Sequence, residues 1–259
     1  MTEQATAVAR PRIARLADGI FQILGQKPSC HVYLIRGTGK NVLIDAGLPT
    51  AIDHLDSCLA ELGISRDDLH LVLLTHEHID HVGAAPLLFG RTVIAAHRLA
   101  ANKIALKDEF AMMSKAFSAA VEGFRVDMWL DGDITVHLGD YRLRVLHTPG
   151  HSSGCVCFHE PDHGLLFSGD TLMAGGVMGG IFGSGNISDY IDSLEILKTL
   201  RLNAVYPGHG RISTTPAEDI AKALSRSREL LDETKTLFDA MNSTRHFEQL
   251  LRSTRDLNA

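Results

Sequence analysis

"THEHIDHVG", residues 75–83, follows the apolar run "LHLVLL" at 69–74. It crowds three histidines, two acids and a glycine into nine residues. A short apolar run of this kind reads as a buried strand. The polar residues after it fall where a strand opens into a loop, the usual place for function. In extended chain His76 and His78 project to the same side. Asp80 and His81 follow at the turn into a helix, so one short segment can offer ligands to two neighbouring metal positions. Imidazole and carboxylate suit zinc, iron or manganese.

Three single residues share that setting, each after a predicted strand and in a glycine-containing turn. They are His151 in "TPGHSSG", Asp170 in "FSGDTL" and His209 in "YPGHG". His-x-His-x-Asp-His at 76–81, then His151, Asp170 and His209 in that order, resembles the metallo-β-lactamase superfamily over roughly residues 31–210. The resemblance implies an α/β fold, a four-layer αβ/βα sandwich of two mixed sheets with helices outside and metals at one edge. It implies a first metal held by His76, His78 and His151. A second would be held by Asp80, His81 and His209, with Asp170 bridging. The cofactors expected are two divalent ions, Zn2+ first, with Fe or Mn as alternatives. Asp45 in "LIDAG" matches a position where the family places an acid near the ligand histidines; it reads equally as a turn residue. His31 reads as a packed or surface histidine, and histidines 54, 70, 97, 137, 147, 159, 163 and 246 have no motif around them.

With 259 residues, 45% of them hydrophobic, the chain can bury a large single core. The expected organisation is one domain over 1–259, with a core at about 20–212 and a helical tail at about 216–259. A net charge of −6 without basic blocks argues against nucleic-acid and anionic-membrane partners. "MTEQATAVARPR" lacks the apolar stretch of a signal peptide, and no run reaches the ~18 apolar residues of a membrane span. With four cysteines that fit a reducing compartment, the expected location is cytoplasmic. Cys155 and Cys157 read as buried thiols on one strand face.

Elsewhere, "HVYLIRG" and "NVLIDAG" flank a turn as in a hairpin, and "AIDHLDSCLAEL" has helical spacing. "AAPLLF" reads as a short helix and "TVIAAH" as a strand, while 98–128 reads as one or two helices. "ITVHLG", "YRLRVLHTPG", "CVCFHE" and "GLLFSGD" are four strand-like runs. Ser188 or Asp189 can cap a helix through "YIDSLEILKTL", and "AVYPGHG" is a last strand. Ile220, Leu224, Leu231 and Phe238 line one face of a tail helix. Glycine-rich 173–187 reads as a mobile wall of the site.

Two metals can share a hydroxide, lower its pKa to about 7 and polarise a carbonyl. Asp80 is the candidate catalytic residue, orienting that hydroxide or relaying a proton. The β-lactamases of the superfamily place cysteine or serine where this chain has Asp170, which disfavours a β-lactam hydrolase. No basic arm favours a nuclease, and loop 173–187 has no Lys or Arg to clamp a phosphodiester. Several homoserine lactonases place a tyrosine where this chain has Met173. The expected function is a dinuclear hydrolase cleaving an ester, lactone or thioester of a small acyl substrate. The alternatives are a mononuclear iron persulfide dioxygenase using His76, His151 and Asp170, or a β-lactam or phosphodiester hydrolase. Met112, Met113, Met128, Met173 and Met178, with Phe182 and Trp129, are candidates for an apolar acyl pocket. The sequence leaves the substrate, the native metal and the oligomeric state open.

Overall fold

A computed structural model describes residues 12–88, 92–120 and 122–243, with side chains as far as residue 237. The first half of the chain forms strands β1 (Ile13–Ala17), β2 (Ile20–Ile23), β3 (Val32–Gly37), β4 (Lys40–Ile44), β5 (Leu69–Leu73), β6 (Val93–Ala96) and β7 (Met128–Trp129). They make one sheet in chain order, antiparallel from β1 to β4 and parallel from β4 to β7. The second half forms β8 (Thr135–His137), β9 (Arg142–His147), β10 (Val156–Glu160), β11 (Leu165–Gly169) and β12 (Ala204–Pro207). These lie in the order β12-β11-β10-β9-β8, with only β11 and β12 parallel.

The period of two in each strand makes this a sandwich. In β3, Val32 and Leu34 face one core while Tyr33 and Ile35 face another. Outside the first sheet lie helices α1 (Ile52–Glu61), α2 (Ile79–Val82) and α3 (Arg98–Ala105). Leu55 and Leu59 of α1 bury against Leu34 and Leu43. Tyr33, Phe158, Phe167 and Tyr206 fill the space between the sheets. Outside the second sheet, α4 (Ile187–Lys198) and α5 (Pro216–Ser243) cover Cys157, Leu166 and Val205. Each fully buried Leu or Phe contributes about 1.5–3 kcal/mol of transfer free energy. Strands β10 and β11 are buried on both faces; Val156–Phe158 and Leu165–Phe167 are their apolar runs, and β10 ends on buried His159 and Glu160. In β9, Arg142 and Arg144 are exposed and alternate with buried Leu143 and Val145, and only Leu146 on the outer face packs on the core under α4 and α5. The four layers are those expected.

Two local readings are corrected. Only the start of 98–128 is helical; after α3 the chain runs through successive turns, broken by left-handed Lys107, Met113 and Ser118. The cap of α4 is Asn186, whose side-chain oxygen accepts from the backbone N–H of Ser188 and Asp189. The tail helix packs as expected through Ile220 and Leu224, with Ala223 and Ser227 beside them and Leu231 half-buried, while Leu230 and Leu237 are exposed. Phe238 and His246 lie outside the described side chains. All four cysteines are buried and free. Among the described residues no helix is long and apolar enough to cross a membrane.

Candidate metal centre

The chain-terminal ends of β4, β5, β11 and β12 open on one edge of the sandwich, joined by the turn after β9. Each predicted donor is delivered from such an end. His76 and His78 follow β5, with Asp80 and His81 in the single turn of α2. Asp170 follows β11 directly, and His209 lies just past β12. The structure brings together His76, His78, Asp80, His81, His151, Asp170 and His209, and all but half-buried His209 are buried. His78 Nδ1 and His151 Nε2 lie 3.0 Å apart, and His81 Nε2 and His209 Nε2 lie 3.3 Å apart. Asp80 Oδ2 is 2.9 Å from His209 Nε2. Asp170 spans the cluster: Oδ1 lies 3.4 Å from His81 Nε2, and Oδ2 lies 3.8 Å from both His151 Nε2 and His209 Nε2.

The donor set fits divalent metal. Tetrahedral bonds of about 2.0–2.1 Å place donor atoms roughly 3.3 Å apart, close to the spacings above. His76 Nε2 and Asp170 Oδ1 are buried with no hydrogen-bond partner. Such atoms are costly unless something else satisfies them. Four groupings among the described residues have every donor atom within 4.8 Å of the others: His76, His78 and His151; His76, His81 and Asp170; Asp80, His81 and His209; and, behind His81, Cys30, Asp45 and His81.

Electrostatics follow from burial and neighbours. Burial, with the other imidazoles, pushes His76 and His78 well below the usual histidine range, so both stay neutral, the ligating form. Burial works against charge on His81 too, but Cys30, Asp45, Asp170 and Asp80 outweigh it and raise its pKa well above the usual range. Burial would raise the Asp170 carboxyl, and the imidazoles of His81, His209 and His151 instead hold it below the carboxylate range.

A second ring of contacts aims the donors. Asp45 Oδ2 accepts from His81 Nδ1 at 2.8 Å, and Asp45 Oδ1 accepts from the Thr75 N–H at 2.8 Å. Asp45 takes a left-handed φ of 60° there, and its carboxylate lies where an acid can orient the His81 ring. The Thr75 hydroxyl lies 3.0 Å from His76 Nδ1. His31 braces the loop that carries His209: its N–H donates to Gly208 O, and its Nε2 lies 2.9 Å from Gly210 O. Gly208 itself must be glycine, since a Cβ there would run into the His81 ring and Asp170.

Sequence reasoning missed Glu77. It sits between His76 and His78 and faces the other way, fully buried. Its carboxylate accepts from Lys103 Nζ of α3 at 2.6 Å, from Ser152 Oγ at 2.9 Å and from Ser184 Oγ at 3.1 Å. Lys103 also donates to Ser153 and Ser184. One buried ion pair thus ties the donor segment to the turn bearing His151 and to the glycine-rich loop. No local signal joins these residues; an acid at a buried strand end is the only hint. The glycine-rich loop is no free wall. Gly180 O lies 2.9 Å from His151 Nδ1, and Arg226 of α5 donates to Gly175 O and Gly176 O.

The metallo-beta-lactamase superfamily model matches residues 26–209. The chain belongs to that superfamily. It is 32% identical over 227 residues to the acyl-coenzyme A thioesterase MBLAC2 of Bos taurus, covering 75% of this chain and 79% of that one. The metallo-beta-lactamase family protein TTHA1429 from Thermus thermophilus superposes with a TM-score of 0.72 at 24% identity, over 87% of this chain and 84% of that one. TTHA1623, solved in a di-iron-bound form, gives a TM-score of 0.63 at 28% identity, over 75% and 94% of the two chains. Membership and the His/Asp clusters together support a metal-dependent hydrolase.

Proposed function

We propose that this protein is a dinuclear metal-dependent hydrolase of ester-type acyl bonds, with an acyl thioester as its favoured substrate. The observation that carries the reading is the pair of donor groups spanned by Asp170, with buried donor atoms that nothing else satisfies. His76, His78 and His151 would hold one ion and Asp80, His81 and His209 the other. When bound, two divalent ions supply Lewis acidity to an acyl carbonyl and lower the pKa of a water to about 7. Zinc and iron both suit the donors, and the di-iron form of TTHA1623 supports keeping iron beside zinc.

The chain's own groups do the rest. Asp80 uses Oδ2 toward His209 and keeps Oδ1 free of any hydrogen bond, so Oδ1 is the group that holds the proton taken from water. Asp45 fixes the tautomer of His81, and Gly180 O does the same for His151. A thiol of pKa about 8.5 leaves with little acid assistance, so a thioester needs no second proton donor. The similarity to MBLAC2 supports the thioester within the wider ester class. Four buried, free cysteines support a reducing, cytoplasmic setting. A single-iron dioxygenase would give Asp80, His81 and His209 no task; their buried assembly supports the two-ion reading.

The test is elemental analysis after reconstitution with excess zinc or iron, then turnover of acyl thioesters, esters, lactones and phosphodiesters. Two ions per chain and thioester hydrolysis are expected. A phosphodiester turned over 100-fold faster in kcat/KM than any acyl substrate, about 2.7 kcal/mol of discrimination, would sink the reading. Persulfide-dependent oxygen uptake by a one-iron protein would promote the dioxygenase.

A further inference from the structure

An apolar cleft of about 360 Å³ opens beside the metal centre, between the turns after α3 and the glycine-rich loop. Phe110 and Met113 form one side, Ile181 and Phe182 the other. Phe110 is 77% exposed and Phe182 is 42% exposed. Two large aromatic rings left open to water beside a metal centre need a reason. Phe182 links the cleft to the donors: its ring stands edge-on to His78 at 6.3 Å and to His151 at 5.8 Å, centroid to centroid.

Its walls are built. Gly180, at a φ of 80°, leaves room where a Cβ would strike the Phe182 ring. Met113 takes a left-handed φ of 56°, an uncommon state for a methionine, as the chain turns back along the cleft. Gly183 lets the two segments close on each other, since a Cβ there would come within 3.3 Å of Ala111 Cα. At the outer end the exposed Glu109 and Lys115 pair at 3.7 Å, so the apolar stretch stops at a charged rim. The other expected pocket residues lie elsewhere. Met112 is fully buried in the core under α1 and α3, Met178 packs on the core under α4 and α5, half-buried Met173 bridges to Val177, and Met128 and Trp129 are exposed on edge strand β7.

We propose that this cleft binds the hydrocarbon tail of the acyl group, with the scissile carbonyl at the donors and the tail running past Phe182 toward Phe110. The inference rests on the acyl-hydrolase reading and adds its chain-length specificity. A flexible apolar chain is the occupant that fits. The walls offer methyl, thioether and ring surface, and their polar groups lie only at the rim. The cleft lies within the ~300–1,000 Å³ range of ligand pockets.

Acetyl, octanoyl and palmitoyl thioesters of one thiol, tested on metal-loaded wild type and on Phe110→Ser, decide the matter. Phe110 is exposed, so its replacement leaves the core intact. In wild type, kcat/KM should rise at least tenfold from acetyl to octanoyl. In Phe110→Ser that ratio should fall at least fivefold. Equilibrium binding of octanoate and acetate provides a readout without turnover, and octanoate should bind at least tenfold tighter in wild type only. Thioester hydrolysis with no chain-length preference would overturn the cleft and leave the proposed function standing. Octanoate binding that Phe110→Ser abolishes, with no acyl substrate hydrolysed, would keep the cleft and remove the hydrolase. Equal losses on both chain lengths would reduce Phe110 to a structural role and overturn the proposal.

Discussion

His81 and His151 each present one ring nitrogen to the donor cluster, but very different partners hold the other. Asp45 holds His81. That carboxylate sits at the end of β4, is itself bonded to Thr75, and is buried where the sheets meet. His151 is held by a backbone carbonyl, Gly180 O, on a loop with no regular structure. Backbone N–H groups of Phe182 and Asn186 tie that loop to His151 O and Gly150 O, and side chains from elsewhere hold the rest: Lys103 and Glu77 through Ser184, and Arg226 of α5 through Gly175 and Gly176. One half of the centre is therefore aimed by its own sheet. The other is aimed by a chain of tertiary contacts. The difference teaches that damage far from the metals should reach the His151 side and spare the His81 side.

Asp170 lies against both halves, so its loss should erase the distinction. Asp170→Ala is expected to lower kcat/KM by about 1,000-fold, roughly 4 kcal/mol of barrier, while circular dichroism stays unchanged. A variant that keeps two ions and more than a tenth of wild-type activity would remove Asp170 from the bridging position.

Asp45→Asn should separate the halves. Losing a carboxylate that orients a ligand histidine costs about 10–100-fold in metal affinity. Titration with a competing chelator should show one ion released early and the other retained. Simultaneous release of both would mean that the halves are not independently held.

Glu77→Gln attacks the other side. Breaking a buried ion pair costs about 3–5 kcal/mol, and partial exposure of Lys103 reduces this to about 2 kcal/mol. Lower thermal stability, with the His151-side ion weakened first, is the expected outcome. Glu77→Gln combined with Lys103→Met should recover part of the loss, since neither charge is then stranded. A double variant less stable than either single one would contradict this account.

Arg226→Ala, at the far end of the chain of contacts, should be the mildest. Its guanidinium is largely exposed and caps loop carbonyls, so about 0.5–1 kcal/mol of stability is at stake. A two- to threefold rise in KM, with kcat nearly unchanged, would place its effect on the loop. A larger fall in kcat would show α5 coupled more tightly to the centre.

What the sequence determined by itself was the donor set and the layer plan. His76, His78, Asp80 and His81 are within six residues of one another, and a strand followed by one helical turn brings them together before any tertiary contact refines their aim. His151, Asp170 and His209 were legible because each follows an apolar run in a glycine turn, and strand ends must open on an edge. The period-two burial of β3 and the short apolar runs Val156–Phe158 and Leu165–Phe167 specify a sandwich with helices outside. Tertiary structure alone decided the rest. Glu77 and Ser184 are 107 residues apart, and no local pattern couples them. Gly180 acts through a carbonyl that every residue has, so its identity says nothing of its role. The turns after α3 looked helical because their composition is helical; left-handed Lys107 and Met113 overrode propensity to form the cleft wall. The candidate methionines divided between core and surface for a related reason. An apolar side chain reports that it will leave water, and only packing decides against what.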